Sequence, residues 1–162
     1  MARVTWSEIL QSCYSSETTV LPATIINHYK KDMYKLCLNS RDELLIINLE
    51  KIAFFQANGN YTHLNYIGGE THLLTIGLSK VEDYIRKSWP KEKPSPFIRL
   101  GRSLIINQAF LSEISILKQK VVLSDCGNNS YSLSVPKPLL KEYKEKINEL
   151  YINKLNKDYN GA

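Results

Sequence analysis

The chain has 162 residues, the length of one ordinary domain, and 43 % of them are hydrophobic, which excludes a disordered chain and allows a packed core. The formal net charge is +5, spread unevenly: residues 1–85 carry seven Lys/Arg and nine Asp/Glu, and residues 86–162 carry fourteen and seven. A basic half can bind polyanions through phosphate contacts and counterion release, although a solvated Lys-rich helix surface has the same composition.

The N-terminus, Met1-Ala2-Arg3-Val4-Thr5-Trp6, lacks the apolar core of a signal peptide, and no apolar run approaches the roughly 18 residues of a membrane span. The expected location is therefore the cytoplasm. Residues 5–14 (TWSEILQSCY) are predicted to form a short helix, with Thr5 and Glu8 as a capping box. The Ser/Thr-rich stretch 15–22 ends at Pro22 and reads as a connector. Ile25 to Met33 reads as a second helix or an irregular lead-in. From Tyr34 the pattern becomes strand-like: Tyr34 to Leu38 alternates, Asn39 to Asp42 makes a turn, and Glu43 to Asn48 returns. Ile52 to Gln56 is a short apolar strand. Tyr61 to Ile67 alternates, Gly68-Gly69 forms a hairpin turn, and Glu70 to Ile76 returns. Leu78, Val81 and Ile85 recur at helical spacing, and Ser79-x-x-Glu82 supplies a start signal.

Residues 89–96 (WPKEKPSP) form a loop, and strands are expected at about 97–99, 103–107, 110–117, 119–124 and 130–135. Pro136 and Pro138 end the last strand and open a helix, because proline is tolerated in a helix's first turn. Leu140, Tyr143, Ile147, Leu150 and Tyr151 line one face of that helix, which runs to about Asn156. The fold class is mainly β, with short antiparallel strands in small sheets, one short inserted helix, a C-terminal helix and a short helical N-terminal lead-in. No alternating βαβ pattern occurs, which argues against a parallel nucleotide-binding sheet. The expected organisation is a lead-in over residues 1–33, a domain over 34–147, and a helix extension with a frayed tail over 148–162.

Motifs for catalysis are missing. There is no GxGxxG or GxxxxGK[ST] phosphate loop and no GxSxG nucleophile elbow. Cys13, Cys37 and Cys126 are odd in number, far apart and without CxxC spacing, so reduced thiols are expected. His63 and His72 lie on paired strands and could face each other, but no third ligand accompanies them. No enzyme, catalytic residue, cofactor or metal is expected. Two features suggest a polar partner. One is the stretch "ANGNYTHLNYIGGETHLL", where Asn58-Gly59-Asn60 leads into strand-forming residues. The other is Arg99 and Arg102 flanking Leu100-Gly101, followed by Ser103. An arginine at a strand–loop boundary offers a planar fork to phosphate or to guanine, and a serine hydroxyl suits phosphate. Taken alone, these arginines more often pair with carboxylates, here Glu43, Glu70 or Asp125.

The order of segments resembles one family. "LEKIAFFQANGNYTHLNYIGGETHLLTIGLSKVEDYI", then "FIRLGRSLIINQAFLSEIS", "VVLSD" and "YSLSVPKPLLKEY" resemble the LytTR family of bacterial DNA-binding domains, over roughly Tyr34 to Ile147. The strand into Gly59-Asn60-Tyr61-Thr62 is similar to the family's "EA-x-x-NYT". The block Phe97-Ile98-Arg99 … Arg102-Ser103 … Asn107 is similar to its "FxRxHRSxxVN". The resemblance implies a mostly β fold whose loops enter successive DNA major grooves. It implies that Asn60 and Thr62 offer hydrogen bonds to phosphates or base edges, with Tyr61 as a packing residue. It implies that Arg102 reads bases, that Arg99 is a nearby backbone contact, and that Lys137 supplies a third basic contact. Lys118 and Lys120 could add phosphate contacts from a hairpin turn.

Two departures stand out. Gly101 occupies the place of the family's usual histidine, and Pro136-Lys137-Pro138 replaces its frequent "SRR". Such domains commonly follow a phosphoacceptor receiver domain, and residues 1–33 are too few to form one. The expectation is a sequence-specific regulator of transcription that binds double-stranded DNA without its own receiver domain. Control would come from another protein, from abundance, or from homodimerisation through the C-terminal helix. The alternative is a protein-interaction module with the same fold that captures a partner regulator and binds DNA weakly or not at all.

Overall fold

The structure is a computed structural model that describes residues 34–160. The expected helix over 5–14, the connector over 15–22 and the segment from Ile25 to Met33 lie outside the described residues. Strands β1 (Lys35–Asn39) and β2 (Leu44–Asn48) form an antiparallel hairpin with Leu36 opposite Ile47. Alternation buries that pair and turns the next pair, Cys37 and Ile46, to solvent. Ser40 closes the turn: its N–H donates to the Glu43 carbonyl at 2.8 Å, and its Oγ accepts from Glu43 N at 3.2 Å.

A five-stranded antiparallel sheet follows, in the order β5-β4-β3-β7-β6. Its members are β3 (Ile52–Asn58), β4 (Tyr61–Tyr66), β5 (Thr71–Leu74), β6 (Phe97–Leu100) and β7 (Leu104–Asn107). β3 lies at its centre and is covered on both faces, which is why "IAFF" is a continuous apolar run. Phe55 and Ile105 face a core shared with β1, β2 and helix α1 (Leu78–Ser88). Phe54 and Ile106 face a second core. That core is completed by β8 (Leu111–Ser115), β9 (Lys120–Ser124), β10 (Ser130–Ser134) and helix α2 (Lys137–Asn160). The sheet order there is β10-β9-β8. Burying each large aliphatic or aromatic side chain contributes about 1.5–3 kcal/mol, so the two cores fix the sheet between its covering layers.

Asn107 ties these layers. It is buried, its Nδ2 donates to the Ile52 carbonyl at 2.9 Å, and its Oδ1 accepts from Ala109 N at 3.0 Å. The second bond caps a short 3-10 turn, Gln108–Phe110; a similar turn, Leu49–Lys51, is capped by Asn48. Neither turn was legible, because three residues are too few to show a period. The capping box expected at Ser79 and Glu82 does not form. The N-cap of α1 is Gly77, without a side-chain cap, and both side chains serve Arg99 instead. Helix α2 extends beyond the expected Asn156. Leu140 and Tyr143 on its apolar stripe are buried and Ile147 is half-buried, whereas Leu150 and Tyr151 are each 64 % exposed. Among the described residues no helix is long and apolar enough to cross a membrane.

Candidate nucleic-acid interface

The β3–β4 turn is two residues long, with Asn58 opposite Tyr61. Gly59 takes φ +61°, as a glycine in the first position of a tight hairpin turn must. Asn60 stands next to it, exposed and with no side-chain hydrogen bond among the described residues. The β6–β7 turn ends beside this one, because β7 pairs with β3 through Gln56 and Leu104. One residue further on, Ala57 N donates to the Ser103 carbonyl at 2.8 Å. Asn60 and Arg102 therefore share one end of the sheet. Arg102 is exposed and its guanidinium has no ion pair or hydrogen bond among the described residues.

The same rim continues along the second core. Gly101, at φ +72°, lies so close to Leu139 in the first turn of α2 that an added Cβ would fall 2.9 Å from Leu139 Cδ1. Lys137, exposed, opens that turn. Val135 N donates to the Gln119 carbonyl at 3.0 Å, which brings the β8–β9 turn alongside. That turn carries exposed Lys118, and Gln119 at φ +48°. The contacts Ala57–Ser103, Gly101–Leu139 and Val135–Gln119 thus link Asn60, Arg102, Ser103, Lys137 and Lys118 along one edge. Lys120 begins β9 at this edge but lies 3.7 Å from Glu113, so its charge is partly neutralised.

Two expected contacts are corrected. Thr62 is fully buried and its hydroxyl donates to the Ile76 carbonyl at 2.9 Å, which removes it from any DNA-facing surface. Tyr61, expected to pack, is exposed instead. Strand alternation explains the exchange, since Thr62 shares the inward face of β4 with Leu64. Arg99 is the second correction. Its side chain is only 25 % exposed and pairs with Glu82 at 2.9 Å, so its guanidinium is committed within the protein. Neither Glu43, Glu70 nor Asp125 is the partner. His63 and His72 do not face each other: His63 lies opposite Leu73 and His72 opposite Leu64. His63 Nε2 instead meets Asn58 Nδ2 at 3.0 Å, at the rim. Among the described residues no three His, Cys, Asp or Glu side chains are grouped to hold a metal, and Cys37 and Cys126 are exposed free thiols.

Lys80 was missed from the sequence. It is exposed in the first turn of α1, next to Gly77, which approaches the Asn60 carbonyl. No local signal marks it, because its place at the rim depends on how α1 packs.

Residues 42–148 match the family model of the LytTr DNA-binding domain. The chain belongs to this family. The matched span contains every rim residue named above. Among solved structures, the LytTR chain is similar to a LytTr DNA-binding domain from Bacillus cereus, with 20 % identity over 69 % of this chain and 94 % of that one, and a TM-score of 0.47. Comparison with curated proteins gave no match.

Proposed function

We propose that this LytTR protein is a sequence-specific regulator of transcription that binds double-stranded DNA along the rim defined by Asn60, Arg102, Ser103, Lys137 and Lys118. The observation that carries this reading is the exposed guanidinium of Arg102, without a hydrogen bond or ion pair among the described residues, set beside the exposed Asn60 amide on a hydrogen-bonded sheet end. Arg102 is the base reader, since an arginine fork fits guanine O6 and N7 in the major groove. Asn60 and Ser103 offer neutral hydrogen-bonding groups to phosphates or base edges, and Lys118 and Lys137 supply salt-dependent phosphate contacts. Lys80 adds a further cation near the Asn60 turn. The binding reaction needs no cofactor. The cytoplasm is where such a regulator meets bacterial DNA.

Two copies act on repeated half-sites in this reading, joined through the exposed end of the α2 stripe. Selection of bound duplexes from a random pool at physiological salt tests the reading. Recovery of two short repeats about one helical turn apart is the expected result. Recovery of no preferred sequence, with only weak binding, would favour capture of a partner regulator as the function.

A further inference from the structure

Arg99 sits where a DNA-facing cation was expected, yet each nitrogen of its guanidinium is bonded within the protein. Its Nε donates to the Gly101 carbonyl at 3.0 Å and its Nη2 donates to the Arg102 carbonyl at 3.0 Å. Nη1 donates to Ser79 Oγ at 3.2 Å and to Glu82 Oε2 at 2.9 Å. Both α1 residues lie one turn apart on the same helix face. Glu82 is 35 % exposed and also faces Arg86, whose Nη2 lies 3.7 Å from Oε1. Arg86 in turn bonds Asp83 at 3.4 Å.

We infer that Arg99 is a positioning residue: with Glu82 and Ser79 it clamps the β6–β7 turn to α1 and sets the direction in which Arg102 leaves the protein. This inference rests on the DNA-binding reading above. Two consecutive carbonyls of one turn, those of Gly101 and Arg102, are held by one guanidinium, and the other side of that guanidinium is anchored on a helix. The turn needs such a hold. Gly101 is in the left-handed region, and glycine there gives the backbone freedom that an aimed side chain cannot use. A planar fork with five donors holds two carbonyls, a hydroxyl and a carboxylate at once, four acceptors spread around its plane, whereas the three donors of a lysine radiate from one atom.

The clamp and a simple phosphate contact have opposite consequences at Glu82. A carboxylate near bound DNA repels it, so Glu82→Gln should tighten binding if the carboxylate is merely a neighbour. If Glu82 fixes Arg99, the same substitution weakens specific binding, by about five- to tenfold, the scale of one ordinary net hydrogen bond, since the glutamine can keep a neutral bond to Arg99.

The test uses the full chain and the duplex selected above, with Glu82→Gln, Arg99→Lys and the milder Ser79→Ala. Two measurements are made. The first is amide hydrogen exchange at Gly101, Arg102 and Ser103 in the DNA-free protein, with melting temperature as the control for folding. The clamp predicts faster exchange in that turn in all three variants, smallest in Ser79→Ala, with β8 to β10 unchanged. The second is the salt dependence and base preference of binding. The clamp predicts a flatter preference at the base pair that Arg102→Ala also affects, with an unchanged salt slope. Unchanged exchange in the turn overturns the clamp, as does tighter binding by Glu82→Gln. A salt slope reduced by about one phosphate in a fourth variant, Arg99→Gln, which removes the charge, likewise assigns Arg99 to the DNA backbone instead. If the wild-type chain binds no duplex selectively, the DNA-binding reading fails, and the exchange measurement alone decides whether the clamp exists.

Discussion

Ala57 and Ser103 are joined by a main-chain hydrogen bond of 2.8 Å, from the Ala57 N–H to the Ser103 carbonyl. They belong to different hairpins, separated in the chain by β4, β5, α1 and β6. The bond extends the β3–β7 ladder beyond Gln56 and Leu104, to the point where both strands turn. Two turns that are distant in sequence are thereby held side by side, and the side chains at their tips, Asn60 and Arg102, form one surface. In the DNA-binding reading proposed above, both turns meet one groove together, and this cross-link keeps them in register.

Arg102→Ala is expected to weaken binding to the selected duplex by about 1–3 kcal/mol and to relax preference at one base pair. Stability should change by less than about 0.5 kcal/mol, because the side chain is exposed and makes no hydrogen bond or ion pair among the described residues. Fluorescence anisotropy at several salt concentrations, against cognate and mismatched duplexes, measures both terms. Lys118→Ala and Lys137→Ala should behave differently, each lowering the salt slope by about one while leaving base preference intact. A uniform loss on all sequences in Arg102→Ala would assign that residue to phosphate.

Gly101→Ala should destabilise the fold by about 1–2 kcal/mol. Two costs combine: φ of +72° is unfavourable for a residue with a Cβ, and that Cβ would lie 2.9 Å from Leu139 Cδ1. The contact is with the end of a flexible side chain, so the steric part can relax, and the conformational part cannot. In a urea-denaturation cycle, Gly101→Ala combined with Leu139→Ala should therefore cost less than the sum of the two single substitutions. Additive costs would show that Leu139 already yields and that the backbone alone opposes the change.

Much of this architecture was legible because alternation and turn chemistry are local. The β1–β2 hairpin, the Gly68-Gly69 turn and α1 followed from residues within a few positions of each other. The candidate rim was only half legible. Asn60 and Arg102 belong to recognisable segments, and both are exposed. Thr62 was misplaced although the signal was present: alternation with Leu64 puts it inside. Arg99 was misplaced for a different reason. Its partner Glu82 lies on a helix whose packing against the β6–β7 turn no local pattern reveals, and Ser79-x-x-Glu82 imitated a capping box. Sequence periodicity says which face a residue occupies; it does not say which distant carboxylate will meet it there.

Tyr143 should make the stability of the domain fall in alkaline solution. It is buried on α2, and its hydroxyl bonds Gln108 Oε1 at 3.2 Å. Burial first, and the charge of a nearby ionised Tyr151 second, push its phenol well above the usual value of 10.0. The neutral phenol is thus favoured in the folded state. Its contribution is fully present below pH 10, where both states keep the proton. Above that pH the unfolded chain ionises and the folded one does not, so stability is lost as pH rises. Chemical denaturation of wild type and Tyr143→Phe between pH 8 and about 11 isolates this residue from the other tyrosines. The wild type should lose stability more steeply, and parallel curves would show that Tyr143 ionises as easily folded as unfolded.

The apolar stripe of α2 does not stop where the domain does. Leu140 and Tyr143 are buried and Ile147 is partly covered, and the same stripe then continues to Leu150 and Tyr151, each 64 % exposed, and to Leu155, 59 % exposed. A helix end that presents large aliphatic and aromatic side chains in register is stabilised when a second surface covers them. Two copies of this chain can supply that surface to each other, and Glu149 and Lys154, of opposite charge along the same stretch, suit an antiparallel pairing. We therefore expect the wild-type protein to sediment as a dimer at tens of micromolar, and Leu150→Lys with Leu155→Lys to sediment as a monomer whose melting temperature matches that of the wild type diluted below its dissociation concentration. The double substitution should weaken binding to two repeats by tenfold or more, because linked sites gain effective concentration, while leaving binding to an isolated half-site within about twofold. Equal losses on single and paired half-sites would mean that the helix end contacts DNA or supports the fold directly. A wild-type monomer at every concentration, free or bound to paired repeats, would remove dimerisation through α2 and leave each copy to bind its half-site alone.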